Sequence, residues 1–191
     1  MTMKQDEVLK LLEWSGAILK GHFKLTSGKH SDQYIEKFRL LENPIALEQI
    51  CSSMAEIYKD KKIDLVISAA VGGILLAGGV GRYLNVKHIF SERVDGEMFF
   101  KRGFTIEKRQ NVLIVEDIVT TGGSIKEIIS SLESLNVEIV AISSLAHRGE
   151  LIDFGYKYAP LVEVPIESWD ENNIPNWLSE VPITKPGSTG K

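Results

Sequence analysis

The sequence predicts an α/β protein built on a doubly wound parallel sheet, with a small N-terminal flap or hood. Apolar runs of strand length alternate with segments of helical periodicity across residues 63–145. The run at residues 112–115 is apolar without interruption, as expected of a strand that is covered on both faces. Near the N-terminus an extended segment separates two helical patterns, which places the flap outside the sheet.

Two helices are predicted before the sheet begins. The first pattern repeats at helical spacing through Val8, Leu11, Leu12, Ser15, Ile18 and Leu19. Pro44 precedes the second pattern, residues 45–58, and proline is favoured in the first turn of a helix. Cys51 lies beside Ile50 and Met54 in this second pattern, so we expect it to pack in the core.

The elements of the sheet follow in order along the chain. Strands are predicted at residues 63–68, 88–92, 111–116 and 137–145, and helices at residues 73–84 and 125–135. Ligands of such sheets bind outside the carboxyl ends of the strands, so the loops after Ser68, Glu92, Glu116 and Leu145 are expected to converge. Residues 1–191 are expected to form one domain, to which residues 1–40 and 155–191 contribute the hood.

The composition narrows the class of protein. With 43% hydrophobic and 25% charged residues, the 191-residue chain can bury one sizeable core. Its net charge of -4 argues against a broad nucleic-acid-binding face. Its single cysteine excludes an internal disulfide framework, and no cysteine–histidine group has metal-ligand spacing. The N-terminus lacks a signal-peptide core and no apolar run spans a bilayer, so we expect a cytoplasmic protein with no membrane partner.

The most informative stretch is VLIVEDIVTTGGS at residues 112–124, which runs from the buried strand through two acids into a turn that opens a helix. Glu116 and Asp117 are neighbours on extended backbone, so their side chains point to opposite faces and suit vicinal hydroxyls better than one scissile bond. The unpaired amides at the helix start favour a phosphate. The alternative is a structural loop with acids at a helix start, but the combination predicts a phosphosugar site.

This stretch resembles the phosphoribosyl diphosphate signature of type I phosphoribosyltransferases. Two further segments, GHFKLTSGKHS at residues 21–31 and VPITKPGS at residues 181–188, are similar to orotate phosphoribosyltransferases, the second to a shorter branch of that family. The resemblance implies transfer of ribose 5-phosphate from 5-phosphoribosyl 1-diphosphate to orotate in pyrimidine biosynthesis. It also implies Mg²⁺ as cofactor without direct protein ligands, and a homodimer with shared active sites.

The resemblance assigns donor binding to the acids, the turn and the small-residue loop AAVGG at residues 69–73, where the longer orotate enzymes often carry a lysine. On its own, this loop is equally consistent with a tight strand-to-helix turn. The implied donor-binding residues are Glu116, Asp117, Ile118, Val119, Thr120, Thr121, Gly122, Gly123, Ser124, Val71, Gly72 and Arg93.

Residues 91–109 mix charge and glycine with few apolar anchors, which predicts a mobile lid. A solvated hairpin is the alternative. By resemblance Arg93 matches the arginine at the entrance of the family's catalytic loop. Lys101 and Arg102 are expected to substitute for the family's loop lysines and histidine, and together with Asp117 and Arg93 they form the expected catalytic set.

The acceptor site is expected where AHRG, residues 146–149, follows the last predicted strand. There the Arg148 guanidinium is placed to bind a carboxylate through two hydrogen bonds or to donate a hydrogen bond to a pyrimidine carbonyl. By resemblance Thr120 also contacts orotate, with Ser27 and Tyr34 on the opposite wall. The alternatives are an exposed arginine and a hairpin with an exposed tyrosine.

Several positions depart from the family pattern. His147 stands where the family often has aspartate, so its role is open, and Thr26 stands where longer members often have lysine. Residues 174–177 read IPNW where shorter members often have a Cys-Pro-x-Cys-like segment, so no thiol or metal role is expected there. The remaining histidines are expected to face solvent or to form local hydrogen bonds; they are His22, His30 and His88.

Two other functions remain open at this level. One is a phosphoribosyltransferase for a purine or another base. The other is a non-catalytic regulator that senses phosphoribosyl diphosphate, although the acidic chain shows no DNA-binding extension.

Overall fold

The computed structural model describes residues 2–25 and 27–184. The helices are α1 (Gln5–Trp14), α2 (Lys37–Leu41), α3 (Pro44–Tyr58), α4 (Gly72–Leu84), α5 (Gly123–Glu133) and α6 (Asn176–Ser179), with a 3₁₀ turn at Glu171–Asn173. The strands are β1 (Ile18–Lys24), β2 (His30–Ile35), β3 (Leu65–Ala69), β4 (Lys87–Val94), β5 (Glu97–Phe99), β6 (Asn111–Val119), β7 (Glu138–His147), β8 (Tyr158–Glu163) and β9 (Ile183–Thr184).

A six-stranded sheet forms the body of the molecule, in the order β5-β4-β3-β6-β7-β8. The pairs from β4 to β8 are parallel, and β5 alone among them adds to the edge as an antiparallel hairpin strand. Alternate residues of β3 and β6 enter different clusters. Leu65 and Ile114 pack with α5, whereas Val66 and Leu113 pack with α3 and α4. The predicted doubly wound sheet with helices on both faces is therefore confirmed.

A second, smaller sheet in the order β2-β1-β9 forms the hood. It joins the two ends of the chain, because β1 pairs with β2 in antiparallel fashion and with β9 in parallel. Backbone hydrogen bonds between His30 and Trp169 tie the hood to the segment after β8. One boundary of the expected hood needs correction: β8 is an edge strand of the main sheet, so the C-terminal contribution begins after Glu163.

The first predicted helix was too long. It ends at Trp14, and Ile18 and Leu19 lie in β1 because Gly16, with φ +69°, takes the left-handed conformation that redirects the chain. The strand predicted at residues 111–116 continues to Val119, so Asp117 lies within β6 together with Glu116. The predicted segment at residues 185–188 and Thr26 lie outside the described residues. Within the described ranges, no helix is both long and apolar enough to cross a membrane.

Candidate active site

Two adjoining cavities lie at the carboxyl edge of the sheet. The first, here called the turn cavity, has a volume of about 300 Å³ and is lined by Lys37, Ala69, Ala70, Arg93 and residues 116–125. The second, here called the hood cavity, has about 770 Å³ and lies between the hood and the ends of β6 and β7. Lys37, Asp117, Ile118, Thr120 and Thr121 line both. The loops after β3, β4, β6 and β7 therefore converge, as the sequence predicts.

The floor of the turn cavity is the turn that opens α5. Its first helical hydrogen bond runs from the Lys126 amide to the Gly122 carbonyl, so the preceding amides are the unpaired donors of a helix start. Gly122 has φ +71°, and a Cβ there would lie 2.6 Å from Phe154 Cε1. Both the backbone conformation and the neighbouring ring therefore require glycine. The result is a compact anion-binding turn.

The two acids are almost fully buried, at 7% exposure for Glu116 and 4% for Asp117. Glu116 Oε1 accepts a hydrogen bond from the Asp117 amide at 2.9 Å. Within the described part of the chain, Glu116 Oε2 is buried without a hydrogen-bond partner. Burial, followed by repulsion from the Asp117 carboxylate, raises the pKa of Glu116 well above its ordinary value. Glu116 Oε2 is thus a buried polar atom that a ligand hydroxyl can pair with.

Asp117 has a partner that the sequence did not indicate. The Lys37 ammonium lies 2.6 Å from Asp117 Oδ2, and the Ile118 amide donates to Oδ1 at 2.5 Å. A Cβ at Gly72 would lie 1.9 Å from Asp117 Oδ2, so glycine leaves the space for this carboxylate. Lys37 carries no recognisable sequence signal, since it reaches the site only through the folding of the β1–β2 hairpin.

The loop after β3 contributes differently from expectation. Ala69 and Ala70 line the turn cavity, whereas Val71 is 69% exposed and Gly72 packs against Asp117. The Ala70–Val71 peptide bond is cis. Neither Val71 nor Gly72 lines the cavity in this conformation, so their role in donor binding stays a prediction.

The three cations expected in the lid lie in different places relative to the cavities. Arg93 lines the turn cavity, where its guanidinium donates to Gly96 O at 2.7 Å and to Glu127 Oε1 at 2.8 Å. Lys101 and Arg102 lie outside the lining of both cavities. Arg102 instead pairs with both carboxylate oxygens of Glu92, at 2.7 and 2.8 Å. The β4–β5 hairpin and the packing of Phe104 on Phe90 hold this segment at the sheet edge.

The hood cavity brings together all four residues expected to contact the acceptor, namely Ser27, Tyr34, Thr120 and Arg148. Tyr34 and Arg148 are half-buried, in contrast to the exposed alternatives. Burial lowers the pKa of Arg148, and burial raises that of Tyr34. A partly desolvated guanidinium is well suited to bind a carboxylate in two-point fashion.

His147 has a structural environment that the sequence left open. The ring is fully buried, and its Nε2 donates to the Glu150 carbonyl at 2.9 Å. Its Nδ1 therefore accepts from the Tyr158 hydroxyl, 3.1 Å away. These contacts fix the turn that follows Arg148.

The other histidines also have clear environments. His22 and His30 are buried and hydrogen-bonded to each other at 2.6 Å. They form the local hydrogen bond that was expected and do not face solvent. His88 is exposed.

Comparison with known proteins agrees with this geometry. Residues 39–176 match the family model described as the phosphoribosyl transferase domain. An orotate phosphoribosyltransferase from Caldicellulosiruptor bescii is 40% identical over 190 residues, covering 99% of this chain and 100% of the relative. The chain belongs to the orotate phosphoribosyltransferase family. A second orotate phosphoribosyltransferase, from Carboxydothermus hydrogenoformans, is 42% identical and covers 95% of this chain and 97% of its own length.

Solved structures show the same fold. The orotate phosphoribosyltransferase of Aeropyrum pernix aligns with a TM-score of 0.71 and 24% identity, covering 82% of this chain and 93% of that one. An adenine phosphoribosyltransferase from Thermoanaerobacter pseudethanolicus aligns with a TM-score of 0.68 and 17% identity, covering 82% and 99%. Enzymes for different bases thus share the architecture, so structural likeness alone does not select the base. Membership in the orotate phosphoribosyltransferase family rests on the sequence relatives.

Proposed function

We propose that this protein transfers ribose 5-phosphate from 5-phosphoribosyl 1-diphosphate to orotate, giving orotidine 5′-monophosphate and diphosphate in UMP biosynthesis. One observation carries the proposal: an anion-binding turn and a cavity containing Arg148 share a wall formed by Asp117 and Thr120. A phosphorylated sugar in the first cavity thus lies beside an anionic base in the second. The relatives near 40% identity support orotate over a purine, and no described feature favours a sensing regulator.

The donor is held by complementary groups. The amides at the start of α5 bind its 5′-phosphate, as helix N-termini favour anions. Glu116 and Asp117 accept hydrogen bonds from the ribose hydroxyls, and their rigid backbone positions fix the sugar. Thr120 and Thr121, which line both cavities, lie beside the sugar carbon that reacts.

The acceptor is oriented from the hood cavity. Arg148 pairs with the orotate carboxylate, and Tyr34 and Ser27 line the opposite wall. In the reaction the bond from C1′ to the diphosphate oxygen breaks, and its electron pair leaves with the diphosphate. The ring nitrogen supplies the pair for the new C1′–N bond and loses its proton to solvent. Positioning and neutralisation of the leaving group dominate such a reaction.

We also propose that Mg²⁺ takes part. Two carboxylates line the turn cavity, and their negative charge favours a cation whose own ligands are substrate oxygens and water. Among residues 2–25 and 27–184, no group of three or more histidine, cysteine, aspartate or glutamate side chains forms a metal cage. Bound Mg²⁺ supplies charge neutralisation on the diphosphate.

We further propose a homodimer in which Lys101 and Arg102 act on the neighbouring subunit's donor. Their absence from the described lining of their own chain's turn cavity supports this arrangement. The hood of residues 1–40 and the segment after β8 then encloses the base.

The activity is tested by incubating the protein with orotate, phosphoribosyl diphosphate and Mg²⁺ and following the loss of orotate absorbance. Consumption of orotate, with adenine, hypoxanthine and uracil left unchanged under the same conditions, is the expected result. Consumption of another base in place of orotate would reject the assignment of the acceptor.

Two substitutions test the roles of the cavities. Arg148→Ala is expected to raise the KM for orotate by about tenfold or more, because the partly buried charge pair is lost. The KM for the donor should change little. Asp117→Asn is expected to raise the KM for the donor instead. If both variants changed the KM of both substrates equally, the assignment of the donor to the turn cavity and of orotate to the hood cavity would be contradicted.

A further inference from the structure

Lys37 occupies a position that the donor and acceptor contacts described above do not explain. It is the first residue of α2, and it lines both the turn cavity and the hood cavity. Its ammonium lies 2.6 Å from Asp117 Oδ2, and its Cε would lie 3.1 Å from a Cβ at Gly72. The cation therefore stands between the ribose acid, the start of α4 and the base cavity.

The alternative role is that of a structural ion pair that neutralises Asp117. The side chain of Asp117 is only 5% exposed. The side chain of Lys37 is 31% exposed and is therefore free to change partners. A flexible lysine stem allows such movement. The other cation that lines the turn cavity, Arg93, already binds Gly96 and Glu127. Of the two cations in the described lining of the turn cavity, Lys37 is the one whose ion-pair partner, Asp117, is itself predicted to bind the donor.

Binding of the donor changes which groups donate hydrogen bonds to the Asp117 carboxylate. Ribose hydroxyls donate hydrogen bonds to the carboxylate and so replace donors now supplied by the ammonium. The released ammonium has a strong preference for an anion in this partly desolvated site. The diphosphate on C1′ is an anion that the reaction provides beside the ribose hydroxyls.

We propose that Lys37 is a catalytic residue whose ammonium passes from Asp117 to the diphosphate of the donor and neutralises it as it leaves. This inference rests on the proposed function, since that reaction supplies the leaving group. The electron pair of the broken C1′–oxygen bond moves to the diphosphate, and Lys37 keeps its proton throughout. Charge that develops in the transition state is then matched by a preorganised cation.

The test uses Lys37→Met and Lys37→Arg, with Lys24→Met as a matched control. Lys24 is a hood lysine with 36% side-chain exposure and a carboxylate partner, Glu171, at 3.7 Å, and it lines neither cavity. Lys37→Met is expected to lower kcat by about 100-fold, the effect of removing one transition-state donor. The KM for orotate should stay within about twofold. Lys37→Arg should retain most of the activity, and Lys24→Met all of it.

Binding of inorganic diphosphate, measured by calorimetry, separates leaving-group contact from neutralisation of Asp117. Lys37→Met should weaken this binding in the wild-type chain, and by about tenfold in the Asp117→Asn background, where no carboxylate competes with diphosphate for the ammonium. If the effect vanishes in the Asp117→Asn background, Lys37 serves Asp117 alone and the proposal is overturned. Full activity of folded Lys37→Met would overturn it as well.

The same experiments distinguish the two hypotheses. If the wild-type protein fails to consume orotate while diphosphate binding still depends on Lys37, the proposed function fails and the diphosphate contact stands. If the wild-type protein consumes orotate and Lys37→Met does so equally well, the proposed function stands and the role of Lys37 fails. Thermal unfolding of each variant establishes that it is folded.

Discussion

Glu116 and Asp117 are neighbours in sequence, yet the structure gives them different partners. Asp117 is paired with Lys37, whereas Glu116 Oε2 is buried without a described partner. A buried carboxylate without a cation is unstable in its charged form. Glu116 therefore costs the ligand-free protein stability, as functional groups often do.

The pH dependence of stability should reveal this cost. Because burial raises the pKa of Glu116, the folded protein binds a proton that the unfolded chain has already lost. The free energy of unfolding is therefore expected to fall as pH rises from the ordinary glutamate range toward the raised pKa. Glu116→Gln should remove this slope and raise the Tm at pH 8 more than at pH 5. Parallel Tm profiles for the two proteins would refute the expectation.

The sequence predicted the site residues that follow a strand but not those that reach it through tertiary structure. Arg148 and Thr120 were found because each comes after a recognisable strand, and their loops must meet at one edge of a parallel sheet. Lys37 was not found, since its approach depends on how the hood folds onto the body. The hydrogen bonds of His147 escaped prediction for the same reason, because Tyr158 belongs to an unpredicted strand.

Among the elements, α5 depends most on its first turn. Gly122→Ala is expected to destabilise the protein and weaken donor binding, because the new methyl group would lie 2.6 Å from Phe154 Cε1. Gly16→Ala is a suitable control, since Gly16 has φ +69° and no atom within 4 Å of an added Cβ. The control variant introduces the backbone strain of a positive φ but no steric contact. A loss of Tm equal in both variants would show that Phe154 does not matter.

The hood contains its own titrating group. Burial, followed by the nearby His22, lowers the pKa of His30 from the ordinary 6.5, with Lys24 adding to this and Glu171 opposing it. The unfolded chain therefore gains a proton first, so the contribution of His30 to stability is complete above about pH 6.5 and is lost as pH falls below it.

Tryptophan fluorescence can follow this change, because Trp169 and Trp177 pack at 6.0 Å beside the hood. Between pH 7.5 and 5.5 we expect a rise in hood opening for the wild-type protein and a smaller rise for His30→Asn. The exposed His88→Asn provides the control. If the fluorescence of the wild-type protein does not change with pH, the His22–His30 pair does not control the opening of the hood.

Three strands that escaped prediction lie at the edges of the two sheets. β5, β8 and β9 are short or follow long loops, and their pairing is decided by neighbours distant in sequence. In contrast, β3 and β6 were recognised because burial on both faces demands continuous apolar runs. The boundary error at α1 arose because a helical spacing happened to continue past Gly16.

At the scale of the whole molecule, the proposed homodimer predicts that Lys101 and Arg102 act in the partner subunit's site. Mixing Asp117→Asn with a Lys101→Ala, Arg102→Ala double variant should restore activity if the sites are shared, at a donor concentration where each variant alone is nearly inactive. After subunits reassort, roughly a quarter of the sites should be intact, because half of the dimers are mixed and each of these keeps one complete site. Mixtures that stay inactive, despite measured subunit exchange, would place the cations in their own chain's site.

The common wall of the two cavities also bears on inhibitor design. Both spaces are lined by Lys37, Asp117, Ile118, Thr120 and Thr121, so the two cavities adjoin along these side chains. A single bisubstrate compound, with an orotate-like ring joined through a short linker to a phosphorylated ribose mimic, can therefore occupy both at once. Tethering makes the second contact intramolecular, so such a compound should bind far more tightly than either fragment alone.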